Sequence, residues 1–160
     1  MNRPPPEERF SKNAAIMAQA IYVGVKKLHD DHYKVVDPNL ICLVAEIIKQ
    51  YDPHKLITGF IKNSHETCWD KIYERDEAYF IEHAPKIFEM IPADTVHLFR
   101  DLFLTKDQHG QSVISESLKT QIWKLFDSNI KISIQYAHLH RDLFPTVDVN
   151  KHAALWHINL

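Results

Sequence analysis

Ser115–Arg141, SESLKTQIWKLFDSNIKISIQYAHLHR, lies within the longest run of the chain without Gly or Pro. At ~100° per residue, Leu118, Ile122, Leu125, Ile132, Tyr136 and Leu139 fall on one side of a helix. Trp123, Phe126, Ile130, Ile134 and Ala137 widen that apolar surface to roughly 220° of the circumference. Only a narrow polar stripe remains: Thr120, Lys124, Asp127, Lys131, Gln135 and His138. A surface helix needs an apolar stripe about half that wide, so neighbours must wrap this one on several sides. The expected fold is all-α: one helical bundle of six to eight helices around a long central helix at residues 115–141. Asn129 and Ser133 sit inside the apolar arc, either as satisfied structural contacts or as part of a site.

Composition agrees with that class. The chain of 160 residues is long enough for one domain with a full core. Its apolar content of 45% and charged content of 25% are ordinary for a globular protein. Three glycines are few for a sheet protein with many tight turns. A net charge of -2 offers no bulk attraction to nucleic acid or to anionic lipid. Cys42 and Cys68 fall in helical, apolar surroundings, which suits a reduced, intracellular chain. No apolar run reaches the ~18 residues of a membrane span, and the N-terminus has no signal-peptide core. A soluble protein in a cytosol-like compartment is the expectation.

Outward from the central segment, residues 1–10 read as a flexible Pro-rich leader, with Pro4-Pro5-Pro6 favouring polyproline II. A helix is expected from about Ser11 to His29, Ala-rich and open to close approach. Asp37-Pro38 and Asp52-Pro53 each pair an Asp cap with Pro at the first helical position, and open the second and third helices. Asn63 and Glu66 have capping-box spacing, which predicts a new start there. Pro85 is expected to divide two short helices, and Pro92 to open another. Thr105–Ile114 reads as a loop, and Ser115 as the cap of the central helix. The helical domain so defined covers residues 11–144. Residues 145–160 form an apolar tail that either packs back or docks on a partner.

Several chemistries fail on spacing. His138 and His140 point ~160° apart on a helix and cannot share an ion. His29/His32 and His65/Cys68 have i,i+3 spacing, but each lacks the two paired clusters of a structural zinc site. The loop around Gly110 departs from a calcium loop at its ligand positions. No G-x-S-x-G motif and no glycine-rich phosphate loop occurs. No cofactor is implied.

Trp69-Asp-Lys-Ile72, Asp76-Glu-Ala-Tyr-Phe80, Ala84-Pro-Lys-Ile-Phe88, Ile122-Trp123 and Lys131-Ile-Ser-Ile-Gln-Tyr136 form a recognisable set. Across Trp69–Arg141 the sequence resembles a group of small helical, uncharacterised proteins of large nucleocytoplasmic DNA viruses. It departs from that group at Glu89 and Asp127. The resemblance implies a viral protein acting in the cytoplasm of an infected cell or packed in a virion, and carries over no catalytic residue.

The functional expectation is therefore a non-enzymatic helical interaction or structural protein, such as a minor virion component or an infected-cell adaptor. Its partner would be another protein or a second copy forming a homodimer, contacted through Leu155, Trp156, Ile158 and Leu160. One alternative is a nucleic-acid-associated protein using Lys124, Lys131 and Arg141, disfavoured by the dispersal of those cations. A second alternative is a metal-dependent enzyme built on His29/His32 or His65/Cys68.

Overall fold

The central segment forms the helix its periodicity predicts. In the computed structural model, which describes residues 2–30, 38–89 and 91–160, it is the seventh of eight α-helices. These are α1 (Pro6–Asp30), α2 (Pro38–Gln50), α3 (Pro53–Ser64), α4 (Cys68–Tyr73), α5 (Glu77–Ile87), α6 (Ala93–Leu104), α7 (Glu116–Leu139) and α8 (Val149–Leu155). A 3-10 turn at Arg141–Leu143 joins α7 to α8. Among the described residues the sole β feature is an antiparallel bridge between Lys106 and Ser112. The fold is an all-α, single-domain bundle. Within the described residues no helix is long and apolar enough to cross a membrane.

The Ser115 hydroxyl accepts from the Leu118 N–H at 3.1 Å and so starts α7. Burial then follows most of the predicted arc, with Ile122, Phe126, Ile130, Ile134, Tyr136 and Ala137 all enclosed, whereas Leu139 at the last turn is exposed. Each buried aliphatic or aromatic side chain of this size contributes about 1.5–3 kcal/mol, which makes α7 the principal source of core burial. It packs mainly on α1, and also on α3, α4 and α8. Gly24 of α1 permits the close crossing: a Cβ there would stand 2.7 Å from Leu118 Cδ2. Polar groups on the same two helices fix their register. Asn13 donates to the Ser128 hydroxyl at 2.9 Å, and Arg9 to Gln135 Oε1 at 3.0 Å.

Three local expectations need correction. Residues 1–10 are not all leader, because α1 begins at Pro6 and Phe10 is a core residue with its ring centroid 5.1 Å from that of Phe60. Pro6 is tolerated at the first helical position, where its missing N–H is not needed. Asn63 and Glu66 start no helix: α3 runs through to Ser64, α4 starts from Thr67, and Asn63 instead donates to Glu89 at 3.3 Å. Pro85 lies inside a single helix, α5, near its C-terminal end, where it gives up the N–H bond to the Ile81 carbonyl without dividing the helix. Asp52 caps α3 as predicted, accepting from the His54 N–H at 2.9 Å. Asp37 and His32 lie outside the described residues.

The C-terminal segment packs back. Asp148 caps α8 by accepting from Lys151 N–H at 3.1 Å, and Val149, His152, Ala153 and Trp156 enter the same core as α7. Trp156 meets the Tyr73 ring edge-on at 5.3 Å.

Candidate functional site

The helices do not close completely on one another. Between α1, α2, α3, α5, α6 and α7 lies a chamber of about 150 Å³ whose wall is almost wholly methyl, methylene and ring. Sequence places its lining simply. On α1, Phe10, Ala14, Met17, Ala18 and Ile21 recur at helical spacing along the face turned to the chamber. On α7 the same spacing brings Lys119, Ile122, Trp123, Phe126 and Asn129 to the wall. Helix α6 adds Val96, Arg100 and Phe103, one turn apart.

Aromatic rings give this wall its rigidity. Phe10 touches Phe60, Phe60 touches Phe88 at 6.5 Å, and Phe80 meets Phe88 at 5.8 Å and Phe126 at 4.8 Å. Trp123 closes the series 6.0 Å from Phe80. Edge-on and tilted pairs of this kind contribute about 0.5–1.5 kcal/mol each beyond area burial. The Arg75 guanidinium lies 5.4 Å from the Trp123 ring and is bonded to the Asp127 carboxylate at 2.6 Å. That bond, the largest influence on it, raises the Arg75 pKa above its ordinary value.

Four polar residues break the apolar lining. Glu77 and Lys119 answer one another at 3.3 Å. Among the described residues Arg100 makes only a 3.5 Å contact with the exposed Asp101, and its buried Nε has no hydrogen-bond partner. Asn129, 4% exposed, likewise leaves its Oδ1 unpartnered. Ser133 is different, since its hydroxyl donates to the Asn129 carbonyl at 2.8 Å. Of the two polar residues in the greasy arc, Ser133 is a satisfied structural contact and Asn129 belongs to the chamber.

No protein-family model, characterised protein or solved structure matches the chain. The site is therefore read from its own chemistry.

The residues singled out in sequence lie elsewhere. Trp156 is buried, Leu155 and Ile158 are half-buried against the core, and Leu160 is exposed. As a set they hold the tail to the bundle; only Leu160 presents its side chain outward. Lys124 and Lys131 are exposed on α7, while Arg141 lies beyond the helix with its guanidinium against His138 and Asn150. Asp127, on the same stripe as Lys124 and Lys131, is engaged by Arg75.

The metal-spacing pairs meet a different fate. His65 and Cys68 are buried and Cys42 is exposed on α2, so the three do not converge. Among the described residues no group of three His, Cys, Asp or Glu side chains comes together. Burial pushes the Cys68 thiol up to about 12, which keeps it protonated and unreactive at neutral pH. His65 and His152 flank Trp69 at ring distances of 6.5 Å and 4.8 Å. Burial lowers the pKa of both, so each is held as neutral imidazole. Trp69 Nε1 donates to the Ser64 hydroxyl at 2.9 Å. This cluster anchors α8 to α4.

Proposed function

We propose that the chain is a non-enzymatic binding module whose binding element is the apolar chamber. One observation carries the reading. Protein interiors pack to the density of organic crystals and hold few voids larger than a water molecule. A chamber of about 150 Å³ at ~24 cal/mol per Å³ costs roughly 3.6 kcal/mol. That is a large fraction of the 5–15 kcal/mol by which a domain is typically stable. A cavity this size, apolar and ring-lined, has the dimensions of one that takes up benzene.

The wall chemistry favours binding over catalysis. Its carboxylate and ammonium, Glu77 and Lys119, are engaged with each other, and the rest of the surface is hydrocarbon apart from Arg100 and Asn129. The partner contacted is accordingly an apolar ligand inside the bundle, with the C-terminal segment serving to hold the bundle shut.

The test is a titration of the full chain, with isotope-labelled isoleucine methyls, by 1-octanol. Saturable shifts at Ile21, Ile48, Ile81 and Ile122, with Ile57 and Ile134 unmoved, support the proposal. An absence of saturable shifts at the chamber methyls overturns it.

A further inference from the structure

The charges on the chamber wall narrow the class of ligand. We propose that it is a single-chain anionic amphiphile, a saturated carboxylate of about eight carbons, with its head on Arg100 and its chain along α7. This rests on the binding reading above and specifies it.

The Val113 N–H donates to the Thr105 carbonyl at 3.1 Å, and Lys106 bridges to Ser112, so the end of α6 is tied to the start of α7. Arg100 lies one turn before the end of α6, and Lys119 one turn after the start of α7. Both line the chamber at this end, and both keep part of their side chains in solvent, at 31% and 15%. The chamber therefore meets the surface beside two cations.

The two are not equivalent. Lys119 is answered by Glu77. Among the described residues Arg100 has only Asp101, itself 63% exposed, at 3.5 Å. The part-exposed Nη end of a guanidinium presents a planar fork of N–H donors that a carboxylate fills with two hydrogen bonds. A neutral or cationic head leaves that fork unfilled.

Length follows from α7. Lys119 and Asn129 both line the chamber, and ten residues of helix separate them by about 15 Å. A zigzag of ~1.5 Å carbon–carbon bonds needs on the order of ten atoms to cover most of that distance. The cavity volume, comparable to one that holds benzene, encloses about six of those carbons. The first carbons and the head then lie at the opening, beside Arg100.

The experiment is calorimetric titration of the full chain with octanoate, 1-octanol and octylamine, in wild type and Arg100→Gln. A charge-assisted pair of hydrogen bonds predicts octanoate binding tighter than octanol by about tenfold or more. Octylamine should bind more weakly than octanol. Arg100→Gln should erase the octanoate advantage and leave octanol within about twofold. Shortening the carboxylate should weaken binding about fourfold for each methylene removed. If Arg100→Gln does not fold, Arg100→Lys, which keeps the charge and loses the fork, should give an intermediate margin. Octanol and octanoate binding equally, or an octanoate margin untouched in the Arg100 variants, overturns the anionic head and leaves the chamber reading intact. Binding by neither overturns both.

Discussion

Replacing Trp156 by alanine separates a tail that belongs to the core from one that docks on a partner. Trp156 is 4% exposed and lies edge-on to Tyr73, in the cluster that also holds Val149 and Ala153. Truncating a buried tryptophan to alanine typically costs about 3–5 kcal/mol. One feature reduces that figure: the indole Nε1 is buried without a hydrogen-bond partner, a burden of about 1–3 kcal/mol that the substitution removes. The net loss is about 2 kcal/mol, or roughly 4–8 °C in Tm for a chain of this length. Far-UV circular dichroism is the appropriate readout, because it does not depend on the deleted fluorophore. Trp156→Phe, which keeps a ring and discards the orphan donor, should stay close to wild type. Leu160→Ala, at a position 48% exposed, should leave Tm unchanged. A Trp156→Ala protein melting within about 2 °C of wild type would show that residues 149–156 lie outside the cooperative core.

Other outcomes follow from named contacts. His65 and His152 have lowered folded-state pKa values, whereas unfolded histidine titrates near ~6.5. Below that value the unfolded chain binds more protons, so stability is complete above pH ~6.5 and declines as pH falls. The limiting slope is about 1.4 kcal/mol per unit for each histidine. Urea unfolding at pH 7.5 and 5.5 should show a smaller loss in the His65→Gln/His152→Gln protein, and an equal loss refutes the assignment. The Arg75–Asp127 pair is part-exposed, at 42% and 25%, so a double-mutant cycle should return a coupling of about 0.5–1 kcal/mol; zero coupling would remove its role in joining α4 to α7. Gly110 has φ +75 with open space around it, so Gly110→Ala should cost about 1 kcal/mol through the backbone alone. Calorimetry showing Gly110→Ala to be stabilising would contradict that origin.

How much of this was legible in sequence depended on the range of the interaction. Helix α7 was readable because burial on several sides writes an unusually wide apolar arc into one segment, and Ser115 and Asp52 were readable because a cap acts on residues two or three away. Asn63 misled because Glu89, on a different element, accepts its amide, and local spacing carries no trace of that partner. The start of α1 was hidden by the three prolines, although Phe10, Ala14, Met17, Ala18 and Ile21 already showed the periodicity that continues from it. Trp156 was visible as an apolar residue in need of cover, but whether the cover came from the same chain was decided by Tyr73 and α7. The chamber was beyond reach for another reason. It is a difference in volume between side chains on six helices, and no single segment encodes a difference. Arg100 likewise looked like any charged residue on an amphipathic helix until it could be placed on that wall.

The central claim is that the chamber, and not the outer surface, is what binds. Ala18 lies on its α1 wall and is buried. Ala18→Leu adds three carbons to a space of about 150 Å³, and a cavity-filling change of this type commonly adds about 0.5–2 kcal/mol of stability. Octanol affinity measured by calorimetry in that variant is the most direct test. Binding inside the chamber requires a loss of tenfold or more, with Tm equal to or above wild type; unchanged octanol affinity in a folded Ala18→Leu protein would place the ligand elsewhere.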